Sequence, residues 1–346
     1  MIFLETGYNE GLMSTKLSSA LLNDIQTNYG FKSVQVGRDL GGLSASNYII
    51  EADGELLVLK KYRSAAEDVA ARIEAITTFL YRHGVPVAMP FRTRADNYHF
   101  AHNSALFAVY PKINGQVLHE PSLSPEALQS AATALAQFHI GGQGCKLHLP
   151  KTTERIVPKT EVTTKAKVLR QRVKVQSLGG EIDELTEKLL VTKLALLAKL
   201  LPPEEIARYF SGHDLVHGDF YNENLLFNTN GEVVCLLDFE EVHFGHRVED
   251  VLNFIHLACC NSGYKKENMD KARNFLKAYT SISSLSRQDI LYGTHFSLYR
   301  FVTSFFLENE LYAKQELFLA QFLQRDLEKF TFFLTHLEEF VRGLSE

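Results

Sequence analysis

The spacing of hydrophobic positions changes character twice along the chain. Residues 17–30 carry a helical pattern, and the period then drops to two. Val34 and Val36 alternate with polar neighbours until Gly37 and Gly41-Gly42 interrupt the run. Asn47–Glu51 and Leu56–Lys60 flank Asp53-Gly54, a strong two-residue hairpin signal. Val69, Ile73, Ile76 and Leu80 fall at helical spacing, and Gly84 and Pro86 predict the stop. Two short strands are expected near Tyr98–His102 and Ala105–Tyr110, and residues 111–116 read as a linker.

Beyond the linker the pattern is mostly helical. Ser124 is a predicted N-cap with Pro125 in the first helical position, opening a helix that runs to about His139 before Gly141-Gly142. Val248, Val251, Leu252, Ile255 and Cys259 form one stripe. Leu319, Phe322, Leu323, Phe330, Phe333, Leu334, Leu337 and Val341 form another. Strands with one helix, followed by a helical remainder, predict an α+β architecture. The expected division is an N-terminal extension with its helix (1–30), a small lobe (31–110), a hinge (111–116) and a helical lobe (117–346).

Composition narrows the function classes. Lys plus Arg number 36 and Asp plus Glu 41, a net charge of −5 over 346 residues, so a phosphate-neutralising nucleic-acid surface is not expected. No apolar run approaches the ~20 residues of a membrane helix, since Lys193 and Lys199 interrupt the greasiest stretch. Met1-Ile2-Phe3-Leu4 meets Glu5 at once, so no signal peptide is expected, and Met13 is a candidate alternative start. Cys145, Cys235, Cys259 and Cys260 show no CxxC spacing, which points to a reducing, cytoplasmic setting. Residues 151–175 hold eight basic and two acidic residues and read as a solvated helix or insertion. His243 and His246 lack a metal-ligand set and are expected at the surface.

The chemistry is concentrated between residues 215 and 241. Asn230-Gly231 predicts a hairpin turn pairing Leu225–Phe227 with Val234–Leu236. A two-residue loop sets position 224 opposite 237, so Asn224 and Asp238 emerge at one end to within a residue, although a bulge would move either to the other face. Asp219 lies on the loop entering that end. An amide oxygen and a carboxylate are hard ligands suited to Mg²⁺ that borrows phosphate oxygens, and a second carboxylate can take a proton from a hydroxyl. The small lobe offers a glycine-bearing hairpin, Gly41-Gly42-Leu43-Ser44-Ala45-Ser46-Asn47, and Lys60 on the following strand. Lys61 is on the opposite face by strand alternation, while Val58 and Lys60 share one.

In this order the parts resemble the aminoglycoside phosphotransferase/choline kinase family, the small-molecule branch of the protein-kinase-like fold. His217-Gly218-Asp219-x4-Asn224 is similar to its catalytic loop and Leu237-Asp238-Phe239-Glu240 to its metal-binding segment. Ala134-Leu135-Ala136-Gln137-Phe138-His139 resembles the end of its first large-lobe helix, and Gly245–Asp250 the segment whose aspartate, here Asp250, buttresses the catalytic loop. The resemblance implies a two-lobed kinase with an antiparallel-sheet N-lobe plus one helix and a mostly helical C-lobe.

It further implies ATP and Mg²⁺ as cofactors. Asp219 would be the base and His217 a structural holder of the loop, with Asn224 and Asp238 on the metal. Lys60 would lie on the α/β-phosphates, paired with Glu74 or its rival Glu67. Gly41, Gly42, Ser44 and Ser46 would lie near the phosphates, and the backbone of Val109 and Tyr110 near adenine. The acceptor is a small-molecule hydroxyl. Glu240 and Glu241, with Glu308 and Glu310, point to one bearing an amine, and the aromatic run Tyr292–Phe306 is a candidate cation face or plain core. The alternatives are a non-catalytic nucleotide-binding or scaffolding protein of this fold and a protein kinase. The second is disfavoured because only ten residues separate Leu237 from Val248, too few for a regulated activation loop.

Overall fold

The computed structural model describes residues 17–41, 46–120, 122–212 and 214–345. The candidate start Met13 and the predicted phosphate contacts Gly42 and Ser44 lie outside the described residues. In chain order the first elements are α1 (Ser19–Tyr29), β1 (Val34–Gly41), β2 (Asn47–Ala52), β3 (Glu55–Lys61), α2 (Glu67–Arg82), β4 (Phe100–His102), β5 (Ala105–Pro111) and α3 (Pro125–Gly141). Next come α4 (Lys159–Val175), α5 (Gly180–Lys199), α6 (Pro203–Tyr209), β6 (Asp214–Val216), β7 (Leu225–Phe227), β8 (Val233–Leu236) and β9 (His243–Gly245). The remainder is helical: α7 (Val248–Phe254), α8 (Lys266–Thr280), α9 (Arg287–Thr303), α10 (Phe306–Lys314) and α11 (Gln321–Ser345).

The chain groups into two compact units, one built from residues up to His148 with Asp219–Val242, the other from Leu149–Gly218 with His243 onward. In the first, five strands form an antiparallel sheet in the order β1-β2-β3-β5-β4. Asp53 and Gly54 both have positive φ, 51° and 86°, the geometry of a type I′ turn, which matches the twist of paired strands. The Asp53 carboxylate also accepts the backbone N–H of Lys32 and Ser33, tying the start of β1 to this turn.

Strand alternation separates the sheet's two faces. Tyr48, Ile50, Leu57, Leu59, Phe107 and Val109 pack with Leu21 and Ile25 of α1. Leu40, Ile49 and Val58 cluster with Tyr110 on the other face. The hairpin β7–β8 joins this unit through backbone pairing. Gln116 and Phe227 exchange N–H···O bonds at 2.8 Å, and Leu236 N–H donates to Pro86 O at 2.7 Å. A Cβ at Gly115 would stand 3.0 Å from both Leu226 Cβ and Val234 Cγ2, so the close approach of this strand-like segment favours glycine.

The second unit is helical apart from the two-stranded β6–β9 ladder. The stripe predicted from Val248 to Cys259 is fully buried, but it leaves α7 for a π-helical turn, Ile255–Cys259. On α11 the backbone kinks at His336, where φ is −117° and ψ 15°. The buried positions resume at Phe340 and Val341, leaving Leu337 part-exposed. In the basic segment, α4 buries Val162, Ala166, Leu169 and Val173 and turns Lys165, Lys167 and Lys174 outward. His243 departs from its expected surface position. It is buried, with Nε2 3.1 Å from Glu249, which also accepts from the hydroxyl of Thr152. Among the described residues no helix is long and apolar enough to cross a membrane.

Candidate active site

The hairpin places its polar ends through two offsets that cancel. Asn228 N–H pairs with Glu232 O, leaving a three-residue loop, Thr229–Gly231, with Gly231 at φ 78°. The Asn228 side chain accepts the N–H of Asn230 and Glu232 and shapes that loop. This shifts the register by one from the two-residue turn expected above. A bulge at Val234 shifts it back: Phe227 pairs with Val233, but Leu226 pairs with Cys235 and Leu225 with Leu236. Position 224 therefore lies opposite 237, and Leu237 N–H donates to Asn224 O at 2.9 Å.

Asn224 is fully buried in a 3₁₀ turn just before β7. Its amide nitrogen donates to the Asp219 backbone carbonyl at 2.8 Å and to the Asp219 carboxylate at 3.0 Å. Asp238 follows β8 with φ 60°, a left-handed conformation that non-glycine residues rarely adopt and that favours a functional placement. The phenol of Tyr221 is pushed up, first by burial and then by the charges of Asp219, Glu223 and Asp238. One tyrosine thus senses both aspartates that the sequence singled out. Tyr221 itself was not anticipated, because a lone tyrosine in a loop carries no pattern.

Lys60 lies on β3 between Asn47 of β2 and Ala108 of β5, and it is buried. Its ammonium is 3.2 Å from Glu240 Oε1 and 3.5 Å from Asp238 Oδ1. Burial alone pulls its pKa down, but the two carboxylates outweigh that and hold it above the ordinary lysine value. Lys61 is exposed.

The expected pairing of Lys60 with Glu74 is not what the structure contains. Glu74 sits 2.6 Å from His99 Nδ1. The stretch of α2 that reaches the Lys60 pocket presents Ile73 and Thr77, neither of which carries a negative charge for the ammonium. The rival Glu67 is exposed in the first turn of α2.

Glu240 and Glu241 were expected toward an acceptor. The structure instead buries Glu240 between Lys60 and Arg63, the latter at 3.3 Å, and sets Glu241 beside Arg63 at 3.5 Å. Glu308 is likewise spent on Lys193 at 2.6 Å, and Glu310 on Lys314 at 2.9 Å. Phe296, Tyr299 and Phe305 are buried core side chains.

A slot in the same unit is lined by Val58, Ile73, Ala88, Ile113 and Leu236, with Tyr110 along it and Lys60 and Asp238 among its charged groups. Val109 and Tyr110 pair with β3 at Leu59 and Val58. The hydroxyls of Tyr110 and Tyr62 are 3.3 Å apart. Gly41 ends β1 opposite Asn47, and the Ser46 carbonyl accepts Lys61 N–H at 3.0 Å.

In the second unit, His217 is buried, and the backbone N–H groups of His217 and Gly218 both donate to Asp250. The Gly218 carbonyl accepts from Arg300 at 3.3 Å. Asp219 is the next residue in the chain. Arg300 had no sequence signal, being distant and outside any motif.

The donor chemistry around Asn224 and Asp238, an amide and a carboxylate, fits a hard divalent cation. Among the described residues no group of three His, Cys, Asp or Glu side chains is placed to hold a metal ion by themselves.

A mostly apolar lining with a few charged side chains, here Lys60 and Asp238, is the usual make-up of a small-molecule site. Comparison with known proteins gives the class: a phosphotransferase of kinase-like fold. The model of the APH phosphotransferase enzyme family matches residues 36–285, and the chain belongs to that family.

Among solved structures, the chain is similar to an amicoumacin kinase in complex with AMP-PNP, Ca²⁺ and Ami (18% identity, TM-score 0.63, covering 90% of this chain and 93% of that one). It is similar to a microcompartment-associated aminopropanol kinase (15%, TM-score 0.64, 94% and 99%). It also matches the Plasmodium vivax ethanolamine kinase (13%, TM-score 0.56, 91% and 85%). No curated protein sequence matches.

Proposed function

We propose that this phosphotransferase is an ATP- and Mg²⁺-dependent kinase that moves the γ-phosphoryl group to a hydroxyl of a small, amine-bearing molecule. The observation that carries the reading is the Asp219–Asn224 hydrogen bond on a hairpin whose register sets Asn224 opposite Leu237, next to Asp238.

In this reading the adenine lies along the apolar slot against the backbone of Val109 and Tyr110. Gly41, Gly42, Ser44 and Ser46 approach the phosphates, and Lys60 neutralises them. Asn224 and Asp238 hold Mg²⁺, which when bound offsets charge on the phosphate oxygens. The Asp219 carboxylate orients the acceptor hydroxyl and takes its proton late in transfer. His217 and Asp250 keep the loop in shape. The division into lobes at 31–110 and 117–346 around a hinge at 111–116 belongs to the same proposal.

The amine on the acceptor is supported by the relatives, whose names include aminopropanol and ethanolamine kinases. Four free cysteines support a reducing, cytoplasmic setting.

The test is a panel of amino alcohols, amino sugars and hydroxy amino acids, offered with ATP or GTP and read by phosphorylated product. Turnover of at least one amine-bearing acceptor, abolished in Asp219→Asn, supports the proposal. A protein substrate panel is run beside it, and turnover of protein substrates alone, with every small acceptor silent, would sink the proposal.

A further inference from the structure

We infer that Glu240 is the positioning residue of Lys60, doing for the phosphate-binding lysine what a helix carboxylate was expected to do. The inference rests on the nucleotide reading of this site and adds a residue role to it.

Three observations carry it. Glu240 is nearly buried and gives one carboxylate oxygen to each of two cations: Oε1 to Lys60 at 3.2 Å and Oε2 to Arg63 at 3.3 Å. Glu74 is held by His99, and the α2 residues that line the slot are Ile73 and Thr77. Asp238, the other partner of Lys60, stands farther off at 3.5 Å and is the residue the proposed metal would recruit.

Charge then determines the division of labour. The buried ammonium faces two carboxylates. A divalent cation held by Asp238 would share that carboxylate's negative charge and weaken its pull on Lys60. Glu240 would then keep Lys60 placed, since each of its oxygens already faces a side-chain cation, at 3.2 Å and 3.3 Å. Arg63 steadies the far oxygen from a partly exposed position, so its own contribution is screened.

The experiment measures ATP binding by calorimetry, with and without Mg²⁺, on wild type, Glu240→Gln, Glu74→Gln, Lys60→Met and the Lys60→Met/Glu240→Gln double variant. Glu240→Gln is expected to weaken ATP binding about tenfold in both conditions, the scale of a lost charged partner. Glu74→Gln should stay within twofold. In the Lys60→Met background, Glu240→Gln should add nothing. Should Glu240→Gln fail to fold, Glu240→Asp, which retracts the carboxylate by one methylene, should give an intermediate loss.

A loss confined to the Mg²⁺-containing titration would make Glu240 a metal ligand and overturn the inference. So would a loss in Glu74→Gln with Glu240→Gln silent. Wild-type protein that binds no ATP would instead overturn the nucleotide reading itself, a result distinguishable from either.

Discussion

The carboxylate of Asp250 accepts two consecutive backbone N–H groups, those of His217 at 2.7 Å and Gly218 at 2.8 Å, from a position on α7 thirty-odd residues downstream. All three residues belong to one compact unit, and Gly218 turns through φ 82° immediately before Asp219. A fully buried carboxylate thus holds the corner of the loop that presents the proposed base.

Removing it leaves two buried donors without an acceptor, each costing ~1–3 kcal/mol. Asp250→Ala is therefore expected to lower unfolding free energy by about 2–6 kcal/mol and to reduce kcat. Asp250→Asn, which keeps one carbonyl acceptor, should lose less of both. Denaturant unfolding with steady-state kinetics decides it, and an unchanged midpoint in Asp250→Ala would contradict the role.

Lys60 and Lys61 are neighbours with opposite fates, one buried against two carboxylates and the other exposed. Lys60→Ala should raise the nucleotide KM and lower kcat by ~10² or more, since it removes a preorganised cation from the phosphates. Lys61→Ala should stay within twofold. Kinetics on both variants check this, and equal damage from the two would show that strand alternation does not govern their roles.

A second buried ion pair, Lys193 with Glu308, ties α5 to α10, and Lys193 also donates to the Ser304 carbonyl at 2.7 Å. Breaking such a pair from one side costs ~3–5 kcal/mol, because it strands a buried charge. Lys193→Met should show that loss in chemical denaturation. Lys193→Met/Glu308→Leu should recover most of it, as replacing both charges with apolar groups removes the stranded carboxylate.

His256, in the π-helical turn, is enclosed by Phe301, Phe333, Phe340 and Tyr264. Burial first, and the nearby Lys329 charge second, lower its pKa to about 3. The unfolded chain, with an ordinary histidine pKa near 6.5, binds the proton more readily, so stability falls as pH drops below ~6.5 and keeps falling toward the folded-state value. At pH 5 the loss from this one residue is about 2 kcal/mol. His295, lowered to about 4 by burial, adds in the same direction. His256→Phe should make the decline in unfolding free energy between pH 7 and pH 5 shallower by about that amount. An identical decline in the variant would show that His256 does not titrate on unfolding.

The hairpin of β7 and β8 shows how far local pattern reaches. Asn230-Gly231 placed the turn correctly and set Asn224 opposite Leu237, yet the route differs, with a three-residue loop and a bulge at Val234 in compensation. Loop length and bulges depend on what packs around the strands, here the bridging segments at Gln116 and Pro86, and neither is adjacent in sequence. The π-helical turn under the Val248–Cys259 stripe and the kink at His336 escaped the sequence for the same reason: a periodic stripe reports a buried face without reporting small changes in helical pitch.

What the sequence by itself determined is what short-range chemistry controls. Period-two runs and Asp53-Gly54 specified the sheet, Ser124-Pro125 opened α3, and His217-Gly218-Asp219-x4-Asn224 with Asp238 marked the polar cluster, because each depends on residues a few positions apart. The tertiary structure alone decided which acid meets which base. Helical spacing offered Glu74 or Glu67 to Lys60, and nothing in the local pattern pointed to Glu240, 180 positions downstream. Only the facing of α2 sends Glu74 to His99, while the short path beyond β8 brings Glu240 between Lys60 and Arg63. Charges pair across space under Coulomb attraction sharpened by burial, and that distance is set by packing rather than by sequence separation.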